Sequence, residues 1–146
     1  MDVLRSLLAR QLILDEGTRA HPYQDTKGVW TCGRGWNMEA VPMCIEAMNA
    51  QFSYQMEIAI NDCRVLFDNF NNLPEEVQAA LANMAYQLGR TSLSGFVNMR
   101  DAIKRGDLTK AADEAMDSEW GREFIPRATR IANILRKYGK KDRENS

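Results

Sequence analysis

The chain has 146 residues, of which 45% are hydrophobic and 27% charged. This composition is typical of one globular domain and is too apolar for a disordered chain. The formal net charge of −1 argues against a nucleic-acid partner. The charge is uneven, because residues 1–126 carry 12 basic and 18 acidic side chains while residues 127–146 carry seven and two. The basic end predicts contact with an anionic surface or a solvated tail.

The chain offers little material for a metal site or for thiol-based catalysis. Its three cysteines, Cys32, Cys44 and Cys63, show no CxxC spacing, and His21 is the only histidine. We therefore expect reduced cysteines that pack as small hydrophobic residues in a cytosolic protein. The sequence predicts neither a metal nor another cofactor.

The N-terminal stretch 3–14 is rich in leucine, but Arg5, Arg10 and Gln11 interrupt it and no small-residue cleavage site follows. It is too short and too charged for a membrane span or a signal peptide. The sequence therefore predicts a protein that stays in the cytoplasm and does not insert stably into a membrane.

Helical periodicity dominates the chain. Helices are predicted over residues 3–16, 51–67, 74–88, 95–104, 108–117 and 126–138. Gly17 and Gly139 are predicted to end the first and last helices, Gly89 follows the third, and Asp107 is predicted to cap the fifth. Residues 69–72 are predicted to form a loop, and residues 140–146 a short, frayed tail of basic and polar residues.

Residues 21–37, with the sequence HPYQDTKGVWTCGRGWN, break the helical pattern. Residues 25–28 have the composition of a turn, and residues 29–36 alternate as a strand rich in glycine and tryptophan. A hairpin is predicted, with Asp25 at the end of one strand and Thr31 on the returning strand. The chain is therefore predicted to be mostly helical with one small sheet, an α+β architecture.

Two carboxylates flank this hairpin, since Glu16 ends the first helix and Asp25 follows nine residues later. Hydrolysis of a glycoside needs an acid that protonates the leaving oxygen and a carboxylate that directs water or stabilises the oxocarbenium-like state. The negative end of the helix dipole favours the protonated form of Glu16. Turn amides and the Thr31 hydroxyl favour an ionised Asp25. Two acids at this spacing also occur by chance, so the pair alone assigns no function.

A wider pattern surrounds the two acids. D-E-G at residues 15–17, Y-x-D-x-x-G at 23–28 and W-T-x-G-x-G at 30–35 follow in this order. Together they resemble the signature of the T-even-type phage lysozymes, in which Glu, Asp and Thr are spaced by nine and six residues. Glu16, Asp25 and Thr31 reproduce both spacings. The resemblance continues through residues 83–89, 94–96, 120 and 126–130, and so covers most of the chain.

The resemblance implies a lysozyme-like fold with two lobes around a cleft and one small antiparallel hairpin or sheet. It implies a single domain over residues 1–139, followed by the tail 140–146. The small lobe is expected over about 17–60, and the helical lobe over 61–139 together with residues 1–16. The first helix is thus expected to cross to the helical lobe.

The same resemblance implies that Glu16 is the general acid, that Asp25 positions or activates the attacking water, and that Thr31 holds this water. Arg127 corresponds to the family arginine that pairs with the catalytic glutamate. Substrate binding is implied for side chains along the cleft, namely Tyr86, Gln87, Asn37, Met99 and Glu114.

Three features of the sequence affect what the resemblance to the phage lysozymes implies. Trp36 stands where the family has a histidine, and we expect it to pack rather than to stack on a sugar. Met99 and Glu114 stand where the family has small polar residues. Met84, Phe96 and Trp120 are expected in the core.

The resemblance implies an endolysin, an inverting N-acetylmuramidase that cleaves the β-1,4 bond between N-acetylmuramic acid and N-acetylglucosamine in bacterial peptidoglycan. It is expected to be monomeric, to need no cofactor, and to reach the cell wall from the host cytoplasm after a holin opens the inner membrane. Two alternatives stay open. A lytic transglycosylase needs one acid and no water-directing carboxylate, and an inactive wall-binding virion module needs neither. Asp25 and Thr31, together with Glu16, argue against both.

Overall fold

The structure is a computed structural model that describes the backbone of residues 2–144 and the side chains of residues 2–140. The chain divides between Ala50 and Gln51 into two compact units. The fold is mostly helical with one small antiparallel sheet, which confirms the predicted α+β class. Because each unit is described by itself, the expected assignment of residues 1–16 to the helical lobe stays a prediction.

The first helix, α1 (Val3–Glu16), has the predicted bounds. Asp2 caps its beginning, since the Asp2 carboxylate accepts the Arg5 N–H at 2.8 Å. Gly17 ends it with a φ of 75°, and its N–H donates to the Ile13 carbonyl. Glu16 therefore occupies the last helical position, immediately before the chain changes direction at Gly17.

The sheet contains three strands in the order β1 (Arg19–Gln24), β2 (Trp30–Gly33) and β3 (Trp36–Asn37). The predicted hairpin is confirmed by the antiparallel pairing of β1 with β2. The prediction of one strand over 29–36 is wrong, because a turn at Arg34 and Gly35 divides this segment in two. Gly33 and Gly35 have φ values of 65° and 78°, a region that few residues other than glycine adopt.

Helix α2 (Ile45–Leu66) begins six residues before the predicted start at residue 51. The early part was missed because its side chains are mostly exposed, so the apolar spacing of a buried face is absent there. The buried residues of α2 all lie in its second half: Ala59, Asp62 and Cys63. Within the predicted loop 69–72, residues Phe70–Asn72 form a short 3₁₀ helix.

The second unit continues with α3 (Glu75–Ser94), α4 (Val97–Lys104), α5 (Leu108–Asp117), α6 (Glu119–Glu123) and α7 (Ile125–Glu144). Gly89 interrupts α3 with φ 81° and ψ 165°, next to the predicted helix end. Asp107 caps α5 as predicted, since its carboxylate accepts the Lys110 N–H at 3.0 Å. Helix α6 was not predicted, because five residues are too few to show a helical period. None of the described helices is long and apolar enough to cross a membrane.

The prediction that Gly139 ends the last helix is wrong. Helix α7 continues through Gly139 to Glu144. A Cβ at Gly139 would collide with the Thr109 hydroxyl and lie 2.9 Å from the Thr109 nitrogen, so this glycine permits close packing of α7 on α5. The predicted frayed tail is therefore helical up to Glu144, and residues 145 and 146 lie outside the described part of the chain.

Two side chains of the basic end form ion pairs within the second unit. Arg136 lies 3.3 Å from Asp113, and Lys137 lies 3.1 Å from Glu76. These acids neutralise part of the positive charge on α7. Contact of this end with an anionic surface stays a prediction.

The core of the second unit lies where α5 packs against α4 and α7. Its largest fully buried side chains include Leu81, Met84, Leu93, Met99, Ile103 and Leu135. The predicted core positions Met84 and Trp120 are buried, and Phe96 packs against this core.

Candidate active site

Glu16 lies against the turn between β2 and β3. A Cβ at Gly35 would come within 2.7 Å of the Glu16 Oε2 atom and 2.8 Å of its carboxyl carbon. Gly35 thus satisfies two requirements, a positive φ and the close approach of a carboxyl group. The glycine-rich turn after β2 therefore places the Glu16 side chain beside the sheet.

Asp25 lies immediately after β1 and closes the turn to β2. Its Oδ1 atom accepts the N–H groups of Lys27 at 2.8 Å and Val29 at 2.9 Å. The Asp25 N–H donates to the Val29 carbonyl at 2.9 Å, and the Asp25 carbonyl accepts the Gly28 N–H at 2.9 Å. These contacts confirm the expected turn amides around Asp25. They leave Oδ2 available to a ligand.

Thr31 lies on β2 and is only 6% exposed. Its hydroxyl donates to the Val29 carbonyl at 2.9 Å rather than to Asp25. The hydroxyl hydrogen is used in this bond. The Thr31 oxygen can therefore act towards a second partner only as a hydrogen-bond acceptor, through its lone pairs. Thr31 is therefore suited to accept a hydrogen bond from a water molecule.

A row of three side chains crosses the sheet at the position of Thr31. Tyr23 pairs with Thr31 on one side, and Asn37 pairs with Thr31 on the other. Directly paired residues project from the same face of a sheet, so these side chains lie next to one another. The guanidinium carbon of Arg19 lies 4.2 Å from the centre of the Tyr23 ring.

The predicted binding residue Asn37 has a structural role in this row. Its Oδ1 atom accepts the N–H groups of Glu39 at 3.1 Å and Ala40 at 3.0 Å, which fixes the turn after β3. The amide nitrogen of Asn37 is not used in these bonds. Its contact with substrate stays a prediction.

Trp36 is half-buried and is held by its indole group. The indole N–H donates to the Val41 carbonyl at 2.8 Å. This bond ties the ring to the segment that follows β3, in agreement with the expected packing role.

The second unit contains the remaining predicted site residues. Tyr86 packs edge-to-face on Phe52, with 6.1 Å between the ring centres. Arg127 donates from Nε to the Asn83 side chain at 2.8 Å and from Nη2 to the Asn83 carbonyl at 3.3 Å. Tyr86 and Arg127 line one groove of about 630 Å³. The pairing of Arg127 with Glu16 stays a prediction, because the two residues belong to different units.

Two of the other predicted binding residues line a pocket of about 430 Å³. Met99 and Glu114 both line it, but Met99 is only 1% exposed and so contributes as its floor. Glu114 pairs with Lys110 at 3.0 Å. Gln87 accepts the indole N–H of Trp120 at 2.9 Å, which holds that ring in the pocket wall. Substrate contacts of these residues stay predictions.

The roles of Val29 and Gly35 were not predicted from the sequence. Val29 acts through its backbone, which leaves no signal in the side-chain pattern. Gly35 belongs to the W-T-x-G-x-G motif at residues 30–35, but the motif alone does not show which side chain approaches it. Across the described part of the chain, no three His, Cys, Asp or Glu side chains come together as metal ligands.

Residues 14–130 match the family model described as phage lysozyme. The chain belongs to the phage lysozyme family. The matched range contains Glu16, Asp25 and Thr31, and it extends through most of the helical unit. The resemblance inferred from the three sequence motifs is thereby confirmed.

The chain is also similar to two relatives of different kinds. The chain is 25% identical to the probable T4-type lysozyme 2 of Dictyostelium discoideum, with 89% of this chain and 94% of that protein aligned. It is 28% identical to the pre-baseplate central spike protein Gp5 of Enterobacteria phage T4, with 88% of this chain aligned. The chain spans only 27% of the length of the spike protein.

Proposed function

We propose that this phage lysozyme family member hydrolyses the β-1,4 bond between N-acetylmuramic acid and N-acetylglucosamine in bacterial peptidoglycan. The observation that carries the proposal is the anchoring of Asp25 and Thr31 on Val29. Glu16 lies in the same unit, packed against Gly35. One unit thus holds a carboxyl group at a helix end, a second carboxylate fixed by turn amides, and a hydroxyl ready to accept a hydrogen bond.

Glu16 acts in the proposed reaction as the general acid. It transfers its proton to the glycosidic oxygen as the bond from this oxygen to the anomeric carbon breaks. The carboxyl group is ionised after this step and regains its proton from solvent.

Asp25 and Thr31 act together on the attacking water. The water donates one hydrogen to Thr31 Oγ1 and the other to the free Oδ2 atom of Asp25. With both hydrogens held, a lone pair of the water is directed to the anomeric carbon, and Asp25 accepts the proton as the new bond forms and then releases it to solvent. This is an inverting reaction, so the first product of the β-linked substrate is the α-anomer. Proton NMR of the early products detects the anomer, and an initial β-anomer contradicts the proposed role of Asp25.

The activity is tested by clearing of outer-membrane-permeabilised bacteria and by mass spectrometry of digested peptidoglycan. Reducing muramic acid ends are expected, whereas 1,6-anhydro ends identify a lytic transglycosylase. Glu16→Gln is expected to lower the rate about 10²–10⁴-fold, because glutamine cannot donate the proton. Asp15→Asn is the matched control, since it removes a neighbouring exposed carboxylate and should keep the rate. Near-normal activity of Glu16→Gln contradicts the assignment of the acid.

We further propose that the chain serves as an endolysin, a monomer that reaches the wall once a holin has opened the inner membrane. Similarity to a spike protein favours a second candidate, a wall-binding module of the virion. Quantitative mass spectrometry of infected cells and of purified particles separates the two. An endolysin is expected free in the cell fraction and absent from particles, and stoichiometric incorporation in particles supports the virion module.

A further inference from the structure

Arg19 carries a cation on the face of the sheet that holds Thr31. Its guanidinium carbon lies 4.2 Å from the centre of the Tyr23 ring, and Tyr23 pairs directly with Thr31. The Arg19 side chain is exposed. Among the described residues, no carboxylate lies within ion-pairing distance of this guanidinium. The N–H donors of Arg19 are therefore available to an anion.

An irregularity of β1 places Arg19 over Tyr23. Arg19 pairs with Gly33 and Tyr23 pairs with Thr31, so four steps along β1 correspond to two steps along β2. Two extra residues thus lie in β1, in the segment that contains Pro22. Such bulges bend an edge strand and redirect its side chains. The bend allows the Arg19 side chain to stack on a ring four residues further along the strand.

Stacking prepares this guanidinium for a planar anion. An aromatic ring attracts a cation above its face, and it limits the conformations of the long arginine side chain. The N–H groups lie in the guanidinium plane and remain free at its edge. In that geometry two of them can donate in parallel to the two oxygens of a carboxylate.

We propose that Arg19, held on Tyr23, binds a free carboxylate of the peptide stem that the glycan strand carries. This inference rests on the proposed function and specifies its substrate as a peptide-substituted, acidic glycan. The sugar rings of such a strand are uncharged, and the stems supply the carboxylates. Because Tyr23 is the direct neighbour of Thr31, a stem bound here belongs to a sugar close to the attacking water.

Two matched substrates test the inference. The first is a set of soluble peptidoglycan chains with intact stems whose amino groups are acetylated, and the second is the same set with the stem carboxylates converted to primary amides. The wild-type protein is expected to cleave the acidic chains with a kcat/KM about tenfold higher, mainly through a lower KM. Arg19→Ala should remove this preference and cleave both substrates at the wild-type rate for the amidated chains.

Three further variants define the contact. Arg19→Lys keeps the charge but loses the planar fork, so an intermediate preference is expected. Tyr23→Phe keeps the ring and should keep the preference. Arg10→Ala removes an exposed positive charge from α1 and is the control for net charge.

The outcomes distinguish a failure of the proposed carboxylate site from a failure of the proposed hydrolytic activity. Equal losses on both substrates for Arg19→Ala show that Arg19 only stabilises the bulge, and this overturns the carboxylate site. A wild-type protein that cleaves both substrates equally also overturns it. Failure of the wild-type protein to cleave either substrate instead overturns the proposed function.

Discussion

Asp25 and Thr31 bind the same residue, Val29. The Val29 N–H donates to the Asp25 carboxylate at 2.9 Å, and the Val29 carbonyl accepts the Thr31 hydroxyl at 2.9 Å. The Val29 carbonyl also accepts the Asp25 N–H at 2.9 Å. One peptide segment therefore fixes the orientation of both side chains, and a movement of Val29 shifts them together. The proposed water site is thus a property of the β1–β2 turn as much as of the two side chains.

Substitution of Asp25 separates its charge from its role in the turn. In Asp25→Asn the side-chain oxygen still accepts both backbone N–H groups, so the fold should be kept while the rate falls about 10²–10⁴-fold. Asp25→Ala loses the same activity and also lowers the free energy of unfolding by about 1–3 kcal/mol, because the two N–H groups lose their partner. Rates and urea unfolding of both variants are the measurement. Substantial activity in Asp25→Asn contradicts a role for the charge.

Thr31→Val tests the hydroxyl at nearly constant side-chain volume. Valine suits a buried strand position but cannot accept a hydrogen bond from water, so the cleavage rate should fall about 10- to 100-fold. Thr31→Ser restores the hydroxyl and should recover most of the rate. Circular dichroism checks that both variants fold. If Thr31→Val and Thr31→Ser are equally active, the hydroxyl only supports the turn.

The sequence was sufficient for elements whose signals are local. The bounds of α1 followed from its apolar spacing and Gly17, and the sites of Asp25 and Thr31 followed from the turn composition between them. Gly139 was misread because a glycine that ends a helix and one that allows another helix to approach look alike in a sequence. Only the position of Thr109 distinguishes the two cases.

The approach of the Arg19 guanidinium to Tyr23 was also beyond sequence reasoning. A regular strand alternates its faces, but the number of extra residues in a bulge is set by pairing with the neighbouring strand. The Y-x-D motif identified Tyr23 and Asp25, whereas nothing in it includes Arg19. Side-chain stacking of this kind becomes visible only when the strand register is known.

Gly139→Ala should destabilise the second unit. The added methyl group collides with Thr109, and such overpacking costs about 1–3 kcal/mol, more than the gain of about 1 kcal/mol in helix propensity. The free energy of unfolding is measured in urea, with Asn133→Ala on the exposed side of α7 as the control that should lose nothing. Thr109→Ala removes the colliding hydroxyl and should restore part of the stability of Gly139→Ala. If the free energy of unfolding of Gly139→Ala equals that of the wild-type protein, α7 does not pack closely on α5 at this position.

Cys63 makes the stability of the fold sensitive to alkaline pH. Its thiol is fully buried, and this burial, with a smaller effect of the Asp62 charge, raises its pKa from 9.0 to about 12. Below pH 9 the thiol is neutral in both the folded and the unfolded state, so its contribution to the free energy of unfolding is fully present. Between pH 9 and 12 the unfolded chain loses the proton while the folded chain keeps it. The free energy of unfolding should then fall by up to about 1.4 kcal/mol per pH unit.

Unfolding of the wild-type protein and Cys63→Ala at pH 8 and pH 10 is the measurement. Cys63→Ala creates a small cavity and should be less stable at pH 8, but its decline towards pH 10 should be shallower. Equal declines in the two proteins show that other groups govern the alkaline loss.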